Sequence, residues 1–281
     1  VQAADEWDHQ SHDLYLGKGM GSNDRVIDID GTFNPASGKL YITGNTGDIR
    51  ANWNNASPFN VIIDLTNSTD TLNADSSGGG ALDLKWDFTI NKGIYNTDST
   101  ANHPITVGRT MDIQANGTLT PNSSTVTIAA SFDSSAGTIT NGDGFCDDPT
   151  ELYYWDCIDD GDTWDGWHLV MTGTGTWTSA SPNNHKVYDI TVGTGGLVTV
   201  AGSPYIYGLL TVNSNGIGGG GGITIGFSGP TAPVMNGGAT FVNVGQVIYQ
   251  CGGTFEYDPT YDPCYATGTD YNTIRISAGS D

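Results

Sequence analysis

A motif that recurs inside one chain constrains the fold more than any single strand assignment, because a recurring unit is built to pack against copies of itself. Ile190-Thr191-Val192, followed by Gly196-Leu197, returns 20 residues later as Leu210-Thr211-Val212, followed by Gly216-Ile217. A longer echo sets Ile27-Asp28-Ile29-Asp30-Gly31-Thr32-Phe33-Asn34-Pro35 on Ile113-Gln114-Ala115-Asn116-Gly117-Thr118-Leu119-Thr120-Pro121, 86 residues on, from Ile27 to Ile113. A Gly-Thr-apolar element recurs at Gly137-Thr138-Ile139, Gly175-Thr176-Trp177 and Gly253-Thr254-Phe255.

Between these landmarks apolar residues fall at every second position, which writes a strand with one buried face. Leu82-Asp83-Leu84-Lys85-Trp86-Asp87-Phe88-Thr89-Ile90 alternates throughout and reads as one strand with Trp86 pointing inward. Shorter strands are expected at Lys39 to Thr43, Met111 to Ala115, Thr125 to Ala129, Tyr188 to Val192, Leu209 to Val212, Ile223 to Phe227 and Thr273 to Ile276. Forty glycines, with many Ser, Thr, Asn and Asp, disfavour helix interiors and suit frequent corners. The chain therefore reads as all-β, a β-solenoid (parallel β-helix-like) of short Gly/Asn-rich coils about 20 residues long. Tandem β-sandwich domains are the alternative, since two related halves also account for the longer echo. The Gly218 to Gly222 run reads as a solenoid corner; it lacks the Lys and Ser/Thr of a phosphate loop.

Four regions follow: residues 1–25 as an N-terminal arm, with docking on a neighbouring subunit and a frayed or self-packed terminus as the two alternatives, 26–140 as a first β repeat region, 141–166 as a Cys-closed acidic excursion and 167–281 as a second β repeat region. The phrases Tyr188 to Gly222 and Met111 to Ala130 resemble the stacked coils of secreted right-handed β-helix proteins and autotransporter-like cell-surface repeat proteins of fibre or adhesin type. That resemblance implies an extracellular or cell-surface structural role.

Nine Lys and Arg against 31 Asp and Glu give a net charge of −22, which leaves no basic surface for nucleic acid. No stretch approaches the roughly 20 apolar residues of a membrane span. Cys146 with Cys157 and Cys251 with Cys264 form two local pairs without a metal-ligand motif, so disulfides in an oxidising compartment are the expected chemistry; other pairings of the four remain open. Within the first loop Asn141, Asp143, Asp147, Asp148, Asp159, Asp160 and Asp162 bring hard oxygen ligands together with glycine, a composition suited to Ca²⁺ and similar to the acidic calcium loops of thrombospondin-type repeats. A solvated acidic loop is the competing account. Tyr153, Tyr154, Trp155, Trp164 and Trp167 read as a small core of that excursion in preference to a sugar platform. His9 and His12 share an acidic terminal segment, too weak a pattern for a metal site.

Sequons at Asn55, Asn67, Asn116 and Asn122 are candidate glycosylation sites. No nucleophile elbow, catalytic triad or zincin motif is present, and neither Arg109 nor Arg275 is tied to an acidic cluster, so no enzymatic activity and no organic cofactor are expected. A stack of coils ends in two sheet edges, each a template for another chain. The expected function is an extracellular structural subunit that assembles head to tail into a filament or fibre by strand addition. A monomeric adhesin binding cell-surface glycans is the alternative, and a polysaccharide-degrading enzyme a more distant one.

Overall fold

The computed structural model describes residues 6–7, 12–17, 25–28, 32–33, 38–44, 48–52, 60–74, 81–140, 166–179, 186–187, 189–193, 197–201, 205–206, 210–212, 217–218, 222–227, 241–242 and 246–251. Among these residues there is no helix, and all the strand pairs whose register is described are parallel. The fold is a β-solenoid. Two compact units, residues 1–142 and 143–281, divide the chain.

In the first unit the rungs contribute to three parallel walls. The first wall runs through Leu14–Leu16, Lys39–Ile42, Asn60–Asp64, the front of Phe88–Asn96, the front of Met111–Thr120, and Phe132–Asp133. The second holds Arg25–Asp28, Asp48–Asn52, Thr71–Ala74, the rear of the two long strands, and Thr138–Ile139. Leu82–Leu84, Ile105–Val107 and Thr125–Ile128 form the third. Register fixes the core. Leu40, Val61, Phe88, Met111 and Phe132 follow one another up the first wall, each at most 1% exposed. Leu72, Tyr95, Leu119 and Ile139 follow one another up the second, all buried. Phe88 and Tyr95 meet edge to face inside, at 5.4 Å and 83°. Burying each such side chain contributes about 1.5–3 kcal/mol, and stacking like on like repeats that gain at every rung.

The long strands change wall at a glycine. Gly93 has φ +98° and stands in register with Gly117. A Cβ on Gly93 would lie 2.7 Å from Leu65 Cδ1, and one on Gly117 only 2.1 Å from the Ile90 carbonyl oxygen. These two positions admit no side chain because successive rungs close on each other there.

The second unit has the same construction. His168–Met171, Asp189–Val192 and Leu210–Val212 form one ladder. Gly175–Thr178, Val198–Ala201, Ile217–Gly218 and Phe241–Val242 form another. Lys186–Val187, Tyr205–Ile206, Gly222–Phe227 and Gln246–Cys251 form the third. The Gly218 to Gly222 run thus joins a strand of one ladder to a strand of another.

One sequence echo holds and two sequence expectations change. The 20-residue echo is a true rung step, for Ile190, Thr191 and Val192 pair with Leu210, Thr211 and Val212. The 86-residue echo is not. Ile27 pairs with Ala51 on the second wall, whereas Ile113 pairs with Ile90 on the first, so the two phrases share strand-and-turn grammar without occupying equivalent places. The run from Leu82 to Ile90 is two strands on two walls, Leu82–Leu84 and Phe88–Asn96, with a corner at Lys85 and Trp86 that turns Trp86 outward to 40% exposure. Strict alternation continues through a corner when the bend falls between inward positions, which is why the sequence concealed it. Residues 1–25, read as an arm, place Glu6–Trp7 beside Thr32–Phe33 and Leu14–Leu16 beside Lys39–Ile42 of their own unit.

Candidate functional site

The inner corner between the second and third walls of the first unit holds buried polar groups. Asn96 Nδ2 donates to Asn73 Oδ1 at 3.0 Å, and Asn122 Nδ2 donates to Asn96 Oδ1 at 2.8 Å, so three rungs are linked by one side-chain ladder. Asn122 adopts φ +50°, is 7% exposed and also reaches Thr97 Oγ1 at 3.1 Å. Thr97 Oγ1 donates to the Pro121 carbonyl at 2.6 Å and accepts from Ser124 Oγ at 2.8 Å. Every amide here has a partner in the next rung, which makes the cluster structural.

Outward chemistry sits in three places. At the first-wall edge, Leu14, Tyr15 and Leu16 pair with Leu40, Tyr41 and Ile42. Thr43 N donates to the Leu16 carbonyl at 2.8 Å, and Lys39 N donates to Asp13 Oδ1 at 3.0 Å. Leu40 and Ile42 are buried, but Leu14 and Leu16 are only half-buried, so the apolar columns reach water at this rung. Tyr15 is 61% exposed and lies flat on Tyr41, with ring centroids 4.5 Å apart and planes at 7°.

Farther up the same wall, Asp112 stands in register with Asp133, one rung away. Asp133 accepts from the backbone N of Ser135 at 3.0 Å and its hydroxyl at 2.7 Å, while Gln114 Nε2 donates to Asp112. Partial burial pushes the Asp112 carboxyl above its ordinary value; the Gln114 hydrogen bond pulls it down and the charge of Asp133 pushes it up again. Among the described residues no three His, Cys, Asp or Glu gather into a metal-binding group.

The third place is the corner between the third and first walls. Arg109 N donates to the Trp86 carbonyl at 2.9 Å and Ala130 N to the Arg109 carbonyl at 3.0 Å, stacking Trp86, Arg109 and Ala130 in successive rungs. The Arg109 guanidinium lies 5.2 Å above the centre of the Trp86 ring. Beside it Lys85 pairs with Asp83 at 3.7 Å, an exposed contact of small energetic weight.

Of the residues expected from the sequence, the calcium candidates Asn141, Asp143, Asp147, Asp148, Asp159, Asp160 and Asp162 lie outside the described residues, as do Cys146, Cys157, Cys264, Asn55 and Arg275. Cys251 ends the strand Gln246–Cys251. Tyr153, Tyr154, Trp155 and Trp164 are likewise outside, whereas Trp167 is fully buried beside the strand His168–Met171. Asn67 and Asn116 are exposed. Asn67 Nδ2 contacts the Asp70 carboxylate at 3.1 and 3.3 Å, and Asn122 is committed to the buried ladder. Sequence reasoning missed the pairing of Trp86 with Arg109. The two are one rung step of 23 residues apart, the separation seen also between Asp87 and Thr110 and longer than the 20-residue echo.

No family model, no curated protein and no solved structure matches this chain.

Proposed function

We propose that this chain is an extracellular structural subunit that assembles with copies of itself into a filament by strand addition at the end of its ladder. The observation that carries the reading is the first-wall edge, where, among the described residues, a three-residue strand with half-buried Leu14 and Leu16 and an exposed Tyr15 terminates columns that are dry from the next rung onward. An incoming strand there satisfies backbone groups and removes the leucines from water, and a Tyr15 ring already flat on Tyr41 offers a second aromatic a ready surface. A contact between unlike ends propagates without closing, which yields fibres. The charge of −22 keeps neighbouring fibres apart, and Ca²⁺ held by the acidic segment from Asn141 to Asp162 would screen it. Cysteine spacing supports disulfide-closed loops and hence secretion, and the likeness to secreted right-handed β-helix and autotransporter-like surface proteins points the same way. The role is structural, with no catalytic step assigned.

Electron microscopy of the purified chain tests this. Uniform fibres that disappear in Leu16→Pro, or in a Leu14→Lys, Leu16→Lys double variant still folded by circular dichroism, are the expected result. Isolated particles at every concentration and calcium level sink the proposal in favour of a monomeric surface module.

A further inference from the structure

We propose that the Trp86–Arg109 corner is a binding site for a carboxylate-bearing sugar, such as a sialic acid or uronic acid residue at the end of a glycan. In a chain with 31 acidic and nine basic residues, an arginine is expected to find a carboxylate of its own. Arg109 has none within ion-pair distance among the described residues, although it is exposed and its neighbour Lys85 has taken Asp83. Its guanidinium is instead positioned on the Trp86 indole at 5.2 Å. That stacking limits the wandering of a long side chain and leaves a planar fork of donors ready for a bidentate acceptor.

The surroundings favour a sugar over a bare anion. Trp86 remains 40% exposed, so the accessible rim of its indole beside the guanidinium offers apolar contact to the C–H groups of a pyranose whose carboxylate meets the arginine. The rung above carries only Ala130 at the stacked position, so no long side chain follows Arg109 in that column. Net charge sets the size of the ligand: a long polyanion meets repulsion from a −22 chain, whereas a single acidic sugar pays little of it at physiological salt. The site is independent of filament assembly.

Titration of the intact chain with sialyllactose, with a glucuronic-acid-terminated disaccharide, with lactose and with acetate, followed by calorimetry and by the Trp86 indole N–H resonance, tests the assignment. Acidic sugars are expected to bind with Kd on the order of 1 mM, at least about tenfold tighter than lactose or acetate, and to shift the Trp86 signal. Arg109→Lys, which keeps the charge and loses the fork, and Trp86→Ala are each expected to weaken binding by about tenfold or more while leaving the circular dichroism spectrum unchanged. Equal binding of acetate, equal binding of lactose, absence of binding by both acidic sugars, or full retention in Arg109→Lys overturns it. So does a change in self-association in Arg109→Lys without sugar binding, which makes a carboxylate of a second copy the true occupant.

Discussion

At the scale of single residues, buried amides and a perturbed carboxylate give the sharpest expectations. Asn122 donates inward from a left-handed backbone that Asn and Asp both tolerate, so Asn122→Asp changes the chemistry while keeping the conformation. The new carboxylate faces Asn96 Oδ1 with no donor and little water, and a loss of about 2–4 kcal/mol at neutral pH is expected, partly recovered in acid as the group protonates; urea melts at two pH values measure it. The same commitment bears on glycosylation. Expression in a glycosylating host followed by peptide mass spectrometry should place sugar on Asn116 before Asn122, and full occupancy of Asn122 in folded protein would contradict the ladder. For Asp112 the sign runs the other way from a salt-bridged carboxylate. Its folded-state value is raised, so the ionised form is penalised in the native state, and that penalty is present above the folded value and removed as pH falls through it. Asp112→Asn is therefore expected to raise Tm at neutral pH and to leave it nearly unchanged below the ordinary carboxylate range.

Elements show how far the letters could be read. Alternation located Lys39–Ile42 and Thr125–Ile128 to within a residue of their expected spans, whereas Asp48–Asn52, Asn60–Asp64, Thr71–Ala74 and Ile105–Val107 were not expected from it. Met111–Thr120 passes through Asn116 and Gly117 onto a second wall, and Leu82 to Ile90 breaks at Lys85 and Trp86. Period-2 patterning records which side of the backbone is dry and carries no information on when the wall changes. The corner is marked instead by close approach, as at Gly93 and Gly117, and that is visible only once the rungs are stacked. The Trp86–Arg109 contact was hidden for the same reason: it joins residues one rung apart, and the rung length varies, with 23 residues separating Asp87 from Thr110 but 27 separating Asn60 from Asp87. Gly93→Ala tests the corner, because the substitution meets Leu65 and a φ of +98° together. A destabilisation of about 2–3 kcal/mol is expected, and a loss below about 0.5 kcal/mol, within the usual range for innocuous substitutions, would show that the rungs relax there.

On the scale of the molecule, stability in a stack is a sum of rungs and their interfaces, with the terminal rung held from one side. Hydrogen exchange should therefore be graded: amides of Leu14–Leu16 are expected to exchange at least about tenfold faster than those of Phe88–Asn96, which lies between Asn60–Asp64 and Met111–Thr120. Uniform protection across both segments would mean that the unit opens only as a whole. The expectation of a solenoid was legible from the short echo and the turn residues.

The in-register columns also govern how such a gene tolerates change. Since Phe88 stands above Val61 and below Met111 in equivalent positions, excising or copying the segment between two such points re-joins the chain at matching places. Lineages carrying this architecture should then lengthen or shorten in whole-coil quanta, while an insertion of one or two residues within a strand would throw every later side chain to the wrong side of the wall.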